Sequence, residues 1–386
     1  MALDLYDLQR RLIGFDTVSH HSNLPLIEYV SGLLLKLGFD VQTFASPDGR
    51  KANVFATLGP PDAGGLMLAG HTDTVPVEGQ AWDSDPFTVT ERGGKFFGRG
   101  TADMKSFIAQ AILAADAFRA RKLNVPLHLA FTYDEEVGCH GATHLMKALA
   151  ERKLAPPRSA VIGEPTNFQV FNKHKGFSAC RVSISGVEGH SSKPPKGANA
   201  IQQAALVIQK LMDVEHERMT HRSPDADFEL PYTTVNVGMI SGGIATNIIP
   251  NRCDVHFEYR TMPGEDPAYV LRQIQGYVKE VLLPAFQKQQ PGVSIEVVEE
   301  NRGLPMVAPP GSEIEALALE LAGQTRTGAA PYYTEGAIYS ANGIPTVICG
   351  PGDIDQAHRP NEFITREQME RGVPFLARLI ERVCLK

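Results

Sequence analysis

The sequence predicts an α/β protein in which a small α+β domain is inserted into a larger, discontinuous one. Three observations carry this reading. Short β-rich runs alternate with helical periods over the first 175 residues, the pattern of a sheet flanked by helices. Near Lys175–Gly176 the order becomes strand, helix, strand, strand, helix, which suits a compact α+β layer. Beyond about residue 290 the α/β alternation resumes. The expected divisions are 1–175 and 290–386 for the two parts of the large domain and 176–289 for the insert.

Each element has a local reason. The first fifteen residues set Asp4, Asp7, Gln9, Arg10 and Arg11 within an apolar pattern, so they read as an amphipathic helix and not as a signal peptide. Residues 24–38 form a second helical period that stops at Gly38. ANVFATL, GLMLAGH, LHLAFTY and SAVIGE read as strands, the last three as near-continuous apolar runs suited to burial on both faces. The stretch from Ala102 to Lys122 reads as a long helix, with acidic Asp103 at its start and basic residues at its end. In the insert, FSACRVSIS, TTVNVGMISGG and RCDVHFEYRTM read as strands; residues 197–214 and 266–282 read as helices. IPTVICG and the closing helix over 367–383 complete the large domain.

Bulk properties narrow the function classes. With 386 residues, 43% hydrophobic and 21% charged, the chain is globular and long enough for two cores. A net charge of −7 without any basic block argues against nucleic acid as a partner. No apolar run approaches the roughly 18 residues of a membrane span. Five scattered cysteines, Cys139, Cys180, Cys253, Cys349 and Cys384, form no CxxC or paired framework, so a reducing cytoplasm is the expected location.

The strongest functional signal is positional. Candidate ligands and acids recur where strands end: His71 and Asp73 after GLMLAG, Glu135 and Glu136 after LHLAFTY, Glu164 after SAVIG, and His358 after the late strand and its GPG turn. Asp103 opens the long helix. Carboxyl ends of strands are where α/β sheets build their sites. Singly, each has a plainer explanation: Asp103 as a helix cap, Glu135–Glu136 as solvated loop charges, His71 as a hydrogen-bonded core histidine, Glu164 as a turn residue before Pro165, His358 as a surface side chain. Their convergence is what chance does not explain. Two histidines with several carboxylates and no cysteine make a nitrogen/oxygen donor set typical of catalytic zinc, for which Co²⁺ or Mn²⁺ can substitute. With this many acids, two metals sharing one carboxylate are plausible.

The motifs HTDTVP, GRGTADMK, YDEEVG, GEPT and QAHRPNE together resemble those of the dinuclear zinc deacylases and exopeptidases, and they occur in that family's order along essentially the whole chain. The resemblance implies a discontinuous zinc-hydrolase catalytic domain with a mixed sheet, plus an inserted lid and dimerisation domain. It implies two Zn²⁺ per subunit, one held by His71, Asp103 and Glu164, the other by Asp103, Glu136 and His358, with Asp103 bridging. It also implies Glu135 as general base, Asp73 as the acceptor that orients the His71 ring, and a cis peptide between Asp103 and Met104. EGHSSKPPKGANA resembles the family segment whose histidine, here His190, stabilises the oxyanion, delivered across a homodimer into the partner's site. ATNIIPNRCDVHFEYR resembles the segment that contacts substrate, through Asn247 and Arg260; pairing of Arg260 with a neighbouring acid is the plainer alternative.

The segments GTADMK, IGEPT, NKHKG, YYTEGAIY and GPGDIDQAHRPNEFI look most like the acetylornithine deacetylase branch. That likeness implies a small N-acyl amino acid as partner, N-acetyl-L-ornithine, released as L-ornithine and acetate in arginine biosynthesis. Charge complementarity nominates Glu335 to receive the substrate ammonium; a helix cap before EGAIYSA is its plainer role. A succinyl-diaminopimelate desuccinylase, a broader N-acyl-amino-acid deacylase or dipeptidase, and a catalytically silent metal-binding protein are the alternatives.

Overall fold

The computed structural model describes residues 3–61 and 64–385, which divide into two compact units. The first comprises residues 1–173, 307–329 and 334–386. Its sheet runs, in spatial order, through Asp40–Ala45, Ala52–Leu58, Leu127–Thr132, Leu66–His71, Ser159–Pro165 and Thr346–Gly350. The last four are mutually parallel, and the first two are antiparallel to their neighbours, so the sheet is mixed. The three apolar runs Leu66–His71, Leu127–Thr132 and Ser159–Pro165 are buried at every position, as strands covered on both faces must be.

Helices Leu5–Ile13, Leu24–Lys36, Lys105–Asp116, His140–Glu151 and Arg366–Cys384 belong to this unit. Asp4 caps the first, its carboxylate accepting from the backbone N–H groups of Tyr6 and Asp7. Thr365 and Gln368 form a capping box at the start of the last. The helix over 105–116 lies against the central strands and is buried almost all round, Phe107 being 1% exposed. Burying that ring is worth about 1.5–3 kcal/mol. It requires a glycine opposite: a Cβ on Gly163 would stand 2.0 Å from the Phe107 ring. The glycine just before Glu164 is therefore a packing requirement that brings helix and strand close enough to share a site.

Asp103 does not cap this helix. The cap position is Met104, with no side-chain cap bond, and the basic residues 119–122 lie beyond the helix end. The Asp103 side chain is engaged elsewhere, as described below.

The second unit comprises residues 174–306 and 330–333. It is an antiparallel sheet in the order Thr234–Gly242, Arg252–Arg260, Phe177–Ser185, Ser294–Gly303, with helices Ala200–Thr220 and Tyr269–Tyr277 contributing to its core. Here the expected boundary at 289 is corrected. The strand Ser294–Gly303 pairs with Phe177–Ser185, which carries the unit on to Met306. Its sequence, SIEVVEENRG, is dominated by charged and polar residues because it is an outer strand with only Ile295 and Gly303 buried. The alternation that marks a half-buried strand is consequently faint.

Candidate metal centre and active site

The prospective ligands all lie in the first unit. His71 is the last residue of its strand; Glu164 is the penultimate residue of Ser159–Pro165. Asp103 precedes the helix over 105–116, and the Asp103–Met104 peptide is cis. Glu135 and Glu136 sit in the turn that follows Leu127–Thr132, entered at Asp134 with φ of 56°. His358 follows the short helix Ile354–Gln356, also at positive φ (62°).

Tertiary folding gathers them into two three-residue sets, His71, Asp103 and Glu164 in one and Asp103, Glu136 and His358 in the other. The Nε2 of His71 is 2.9 Å from Asp103 Oδ1 and 4.0 Å from Glu164 Oε1. The Nε2 of His358 is 3.5 Å from Asp103 Oδ2 and 3.1 Å from Glu136 Oε2. Asp103 thus presents one oxygen to each set.

The electrostatics suit divalent cations. Asp103, Glu135, Glu136 and Glu164 are gathered away from solvent, and among the described residues none of the four pairs with a lysine or arginine. Burial drives the Glu135 and Glu164 carboxyls well above the usual carboxylate range, and the surrounding acids add to it. Burial works against both histidine cations, but the bonds to Asp103 and its neighbours prevail, lifting His71 well above its ordinary value and His358 to about 11. Among the described residues the buried Oε1 of Glu164 has no hydrogen-bond partner. An orphaned carboxylate oxygen within a nitrogen/oxygen donor set is what a hard or borderline metal ion satisfies, so these residues fit the cofactor the motifs imply.

Backbone contacts hold the set in place. Asp73 is buried, and its main role is wider than orienting a ring: the His71 Nδ1–H donates to the Asp73 carbonyl oxygen at 2.9 Å, with the carboxylate 3.6 Å away. The carboxylate instead accepts the backbone N–H of Glu135 (3.0 Å) and of Glu136 (3.2 Å), and the hydroxyl of Ser19 (2.7 Å). The Cys139 thiol lies 3.4 Å from Glu135 Oε1. On the other side, the buried Glu362 accepts the N–H groups of Ala102 and Asp103 and pairs with Arg99 at 2.7 Å. Ser19, Arg99 and Glu362 were not among the candidates; Arg99 lies inside the GRGTADMK motif and Glu362 inside QAHRPNE, which is the signal that could have found them, whereas Ser19 lies in no such motif.

The remaining candidates are placed differently. Glu335 is 0% exposed and accepts from the hydroxyls of Thr132 and Tyr339. Burial pushes its carboxyl up to about 7. Its side chain bonds inward to the strand that ends at Thr132, and it makes no side-chain cap bond to the helix it precedes. His190, Asn247 and Arg260 belong to the second unit. His190 is exposed, its Nδ1 2.8 Å from the Ser192 hydroxyl, and the neighbouring Ser191 N–H donates to the carbonyl of exposed Asn247. Arg260 forms a two-nitrogen pair with Glu258 two residues back along its strand, and its guanidinium stands over Phe177.

Residues 67–382 match the profile of Peptidase family M20/M25/M40. The chain belongs to this family. Among its relatives, an acetylornithine deacetylase of Proteus mirabilis is 37% identical over 98% of this chain and 96% of its own length. A protein of the same name from Klebsiella pneumoniae is 35% identical over 98% and 97%. Human carnosine dipeptidase 1 shares the fold, with a TM-score of 0.75 at 18% identity over 97% of this chain and 95% of that one. So does an M20 family metallo-carboxypeptidase of Sulfolobus solfataricus, with a TM-score of 0.76 at 19% identity over 97% and 99%. The α/β catalytic unit with its insert is accordingly an M20 peptidase fold, and the chain is a metal-dependent hydrolase. Among the described residues no helix is long and apolar enough to cross a membrane.

Proposed function

We propose that this M20 family member is a dinuclear amidohydrolase that converts N-acetyl-L-ornithine to L-ornithine and acetate. One observation carries the chemistry: two three-ligand sets share Asp103, with the non-ligand acid Glu135 beside them. His71, Asp103 and Glu164 would hold one divalent cation, and Asp103, Glu136 and His358 the other, with Zn²⁺ as the natural occupant and Co²⁺ or Mn²⁺ able to replace it. When bound, such ions polarise an amide carbonyl and make water more acidic. Glu135 takes a proton from the attacking water and returns it to the departing amine, so that ornithine leaves as a neutral amine rather than an anion. Asp73 fixes where Glu135 stands by holding its backbone N–H.

The names of the relatives at 35–37% identity over nearly the full chain support the substrate. The test is specific activity measured side by side on N-acetylornithine, N-succinyl-diaminopimelate and N-acetylmethionine. Acetylornithine is expected to be turned over fastest. Preference for either other substrate rejects the assignment, and a metal-loaded protein inert on all three supports the catalytically silent reading.

We further propose that the enzyme is a homodimer in which His190 of one subunit serves the active site of the other. The strand Thr234–Gly242 is the outer strand of its sheet, and Met239, Ile240 and nearby Ile244 are exposed by 65%, 53% and 81%. An unpaired apolar edge of this kind is ordinarily covered, and pairing with its twin gives a two-fold dimer. The exposed imidazole would then donate to the developing oxyanion, worth roughly 2.7–4 kcal/mol for one well-placed donor. Mixing His190→Ala with Glu135→Ala subunits distinguishes the arrangements. Action in trans restores one intact site per heterodimer; confirmed subunit exchange without recovery of activity rejects it.

A further inference from the structure

Glu135 is set by a turn, and a turn dense in carboxylates needs something to hold it. Asp134, Glu135 and Glu136 are consecutive, and the buried Asp73 carboxylate lies against the N–H groups of the last two. Asp134 occupies the left-handed region at φ 56°, a conformation that costs a non-glycine residue free energy unless its surroundings enforce it. The turn then closes on itself: the N–H groups of Gly138 and Cys139 donate to the Glu135 carbonyl, and those of His140 and Gly141 to the Asp134 and Tyr133 carbonyls. These bonds fix the shape of the turn but do not anchor it to the rest of the unit.

Three side chains do that. Asp73 is one, and Asn53, which accepts from the Tyr133 N–H and donates to the Gly141 carbonyl, ties down the two ends of the turn. The third, and the one that holds Asp134 itself, is Lys51, the residue immediately before strand Ala52–Leu58, whose ammonium donates both to the Asp134 carboxylate and to the Ser19 carbonyl. The pair is mostly shielded, with side chains 15% and 16% exposed. Attraction between such groups is stronger than between fully solvated ones. The second contact of Lys51 closes a ring. Ser19, whose carbonyl it grips, donates its own hydroxyl to Asp73, and Asp73 holds the backbone of Glu135. Ser19 is itself tied down, its N–H donating to Thr74. One ammonium therefore joins the start of a strand, the Ser19 segment and the base-bearing turn, and it touches neither set of prospective ligands directly.

We propose that Lys51 is a positioning residue for the general base: by clamping Asp134 to Ser19 it holds the turn that aims Glu135. This rests on the assignment of Glu135 as base. Without the ammonium, the Asp134 carboxylate would face Asp73 with its main countercharge gone, and the turn would lose its tie to Ser19, so that Glu135 shifts within it. Misplacement by about 1 Å of a group that must meet a proton costs up to ~10²-fold in rate. His71, Asp103, Glu164 and His358 lie outside this turn and would stay in place, and Glu136 within it keeps its backbone bond to Asp73 and its contact with His358.

The test compares wild type with Lys51→Met, Lys51→Arg and Glu135→Gln, each assayed for kcat, KM and metal content, with hydrogen exchange of residues 133–141 followed in chelator-treated protein. Lys51→Met should lose ~10–100-fold in kcat with KM within a few-fold, keep its metals, and exchange faster across that turn. Lys51→Arg, which restores the cation, should recover most of the loss. Wild-type kcat in Lys51→Met overturns the proposal, as does unaltered exchange in the turn. Loss of folded protein or metal in parallel with kcat in both Lys51 variants also overturns it, since the residue would then be merely structural. Full activity in Glu135→Gln would instead remove the assignment of the base itself, a result separable from any outcome at Lys51.

Discussion

Replacing Glu135 by glutamine should cut turnover by ~10²–10⁴-fold while leaving the metal content of the protein unchanged. The reasoning is geometric. Glu135 belongs to neither three-ligand set, whereas its neighbour Glu136 belongs to one, with an oxygen 3.1 Å from His358. Glutamine keeps the size of the side chain and its backbone bond to Asp73 but cannot accept a proton from water. The loss should therefore appear in kcat, with metal analysis and the unfolding transition close to those of wild type. Glu136→Gln should behave differently, losing affinity for one metal together with activity. A Glu135→Gln protein within a few-fold of wild type, or one depleted of metal, would show that the roles of the two adjacent acids are misassigned.

Removal of metal is expected to be the second large effect. A chelator should abolish turnover, and Zn²⁺ or Co²⁺ added back should restore it. Stability should fall as well, because the four clustered carboxylates would lose the charge that offsets their burial. Asp103→Ala makes the test specific. Asp103 gives one oxygen to each set, so its removal should weaken both sites together, and added metal should not rescue the variant at concentrations that restore stripped wild type. Activity that survives chelation in wild type would reject the metal-dependent reading. An Asp103→Ala protein that keeps two tightly held ions would reject the shared carboxylate.

Much of this was legible along the chain because it is written in local chemistry. Strands such as Leu66–His71 are continuous apolar runs since both faces are covered, and the helices carry their own stop and start signals, Gly38 after the second helix and Thr365 before the last. Where burial is one-sided and slight, as in Ser294–Gly303, the pattern fades, and the inserted unit runs on past 289 to Met306. Asp103 shows a second limit, that of local pattern alone, which only the motif resemblance overcame. An acid before a helix reads as a cap, yet its carboxylate turns to His71 and His358, residues 32 positions before and 255 positions after it in the chain. Glu335 shows a third limit: nothing beside it in the chain announces its bonds to Thr132 and Tyr339, the first of them 203 positions away.

Fold class, family motifs and the residue types of the centre can all be read along the chain, because apolar periodicity and ligand chemistry are properties of short segments. Tertiary structure alone decided how those residues are held. Asp73 grips the backbone of Glu135 and Glu136, Glu362 grips that of Asp103, and Lys51 joins Asp134 to Ser19. Such contacts join residues 32 to 259 positions apart through single hydrogen bonds. A single polar side chain has no period and no preferred neighbour in sequence, so its partner becomes known only when the packing of strands and helices brings the two within bonding distance.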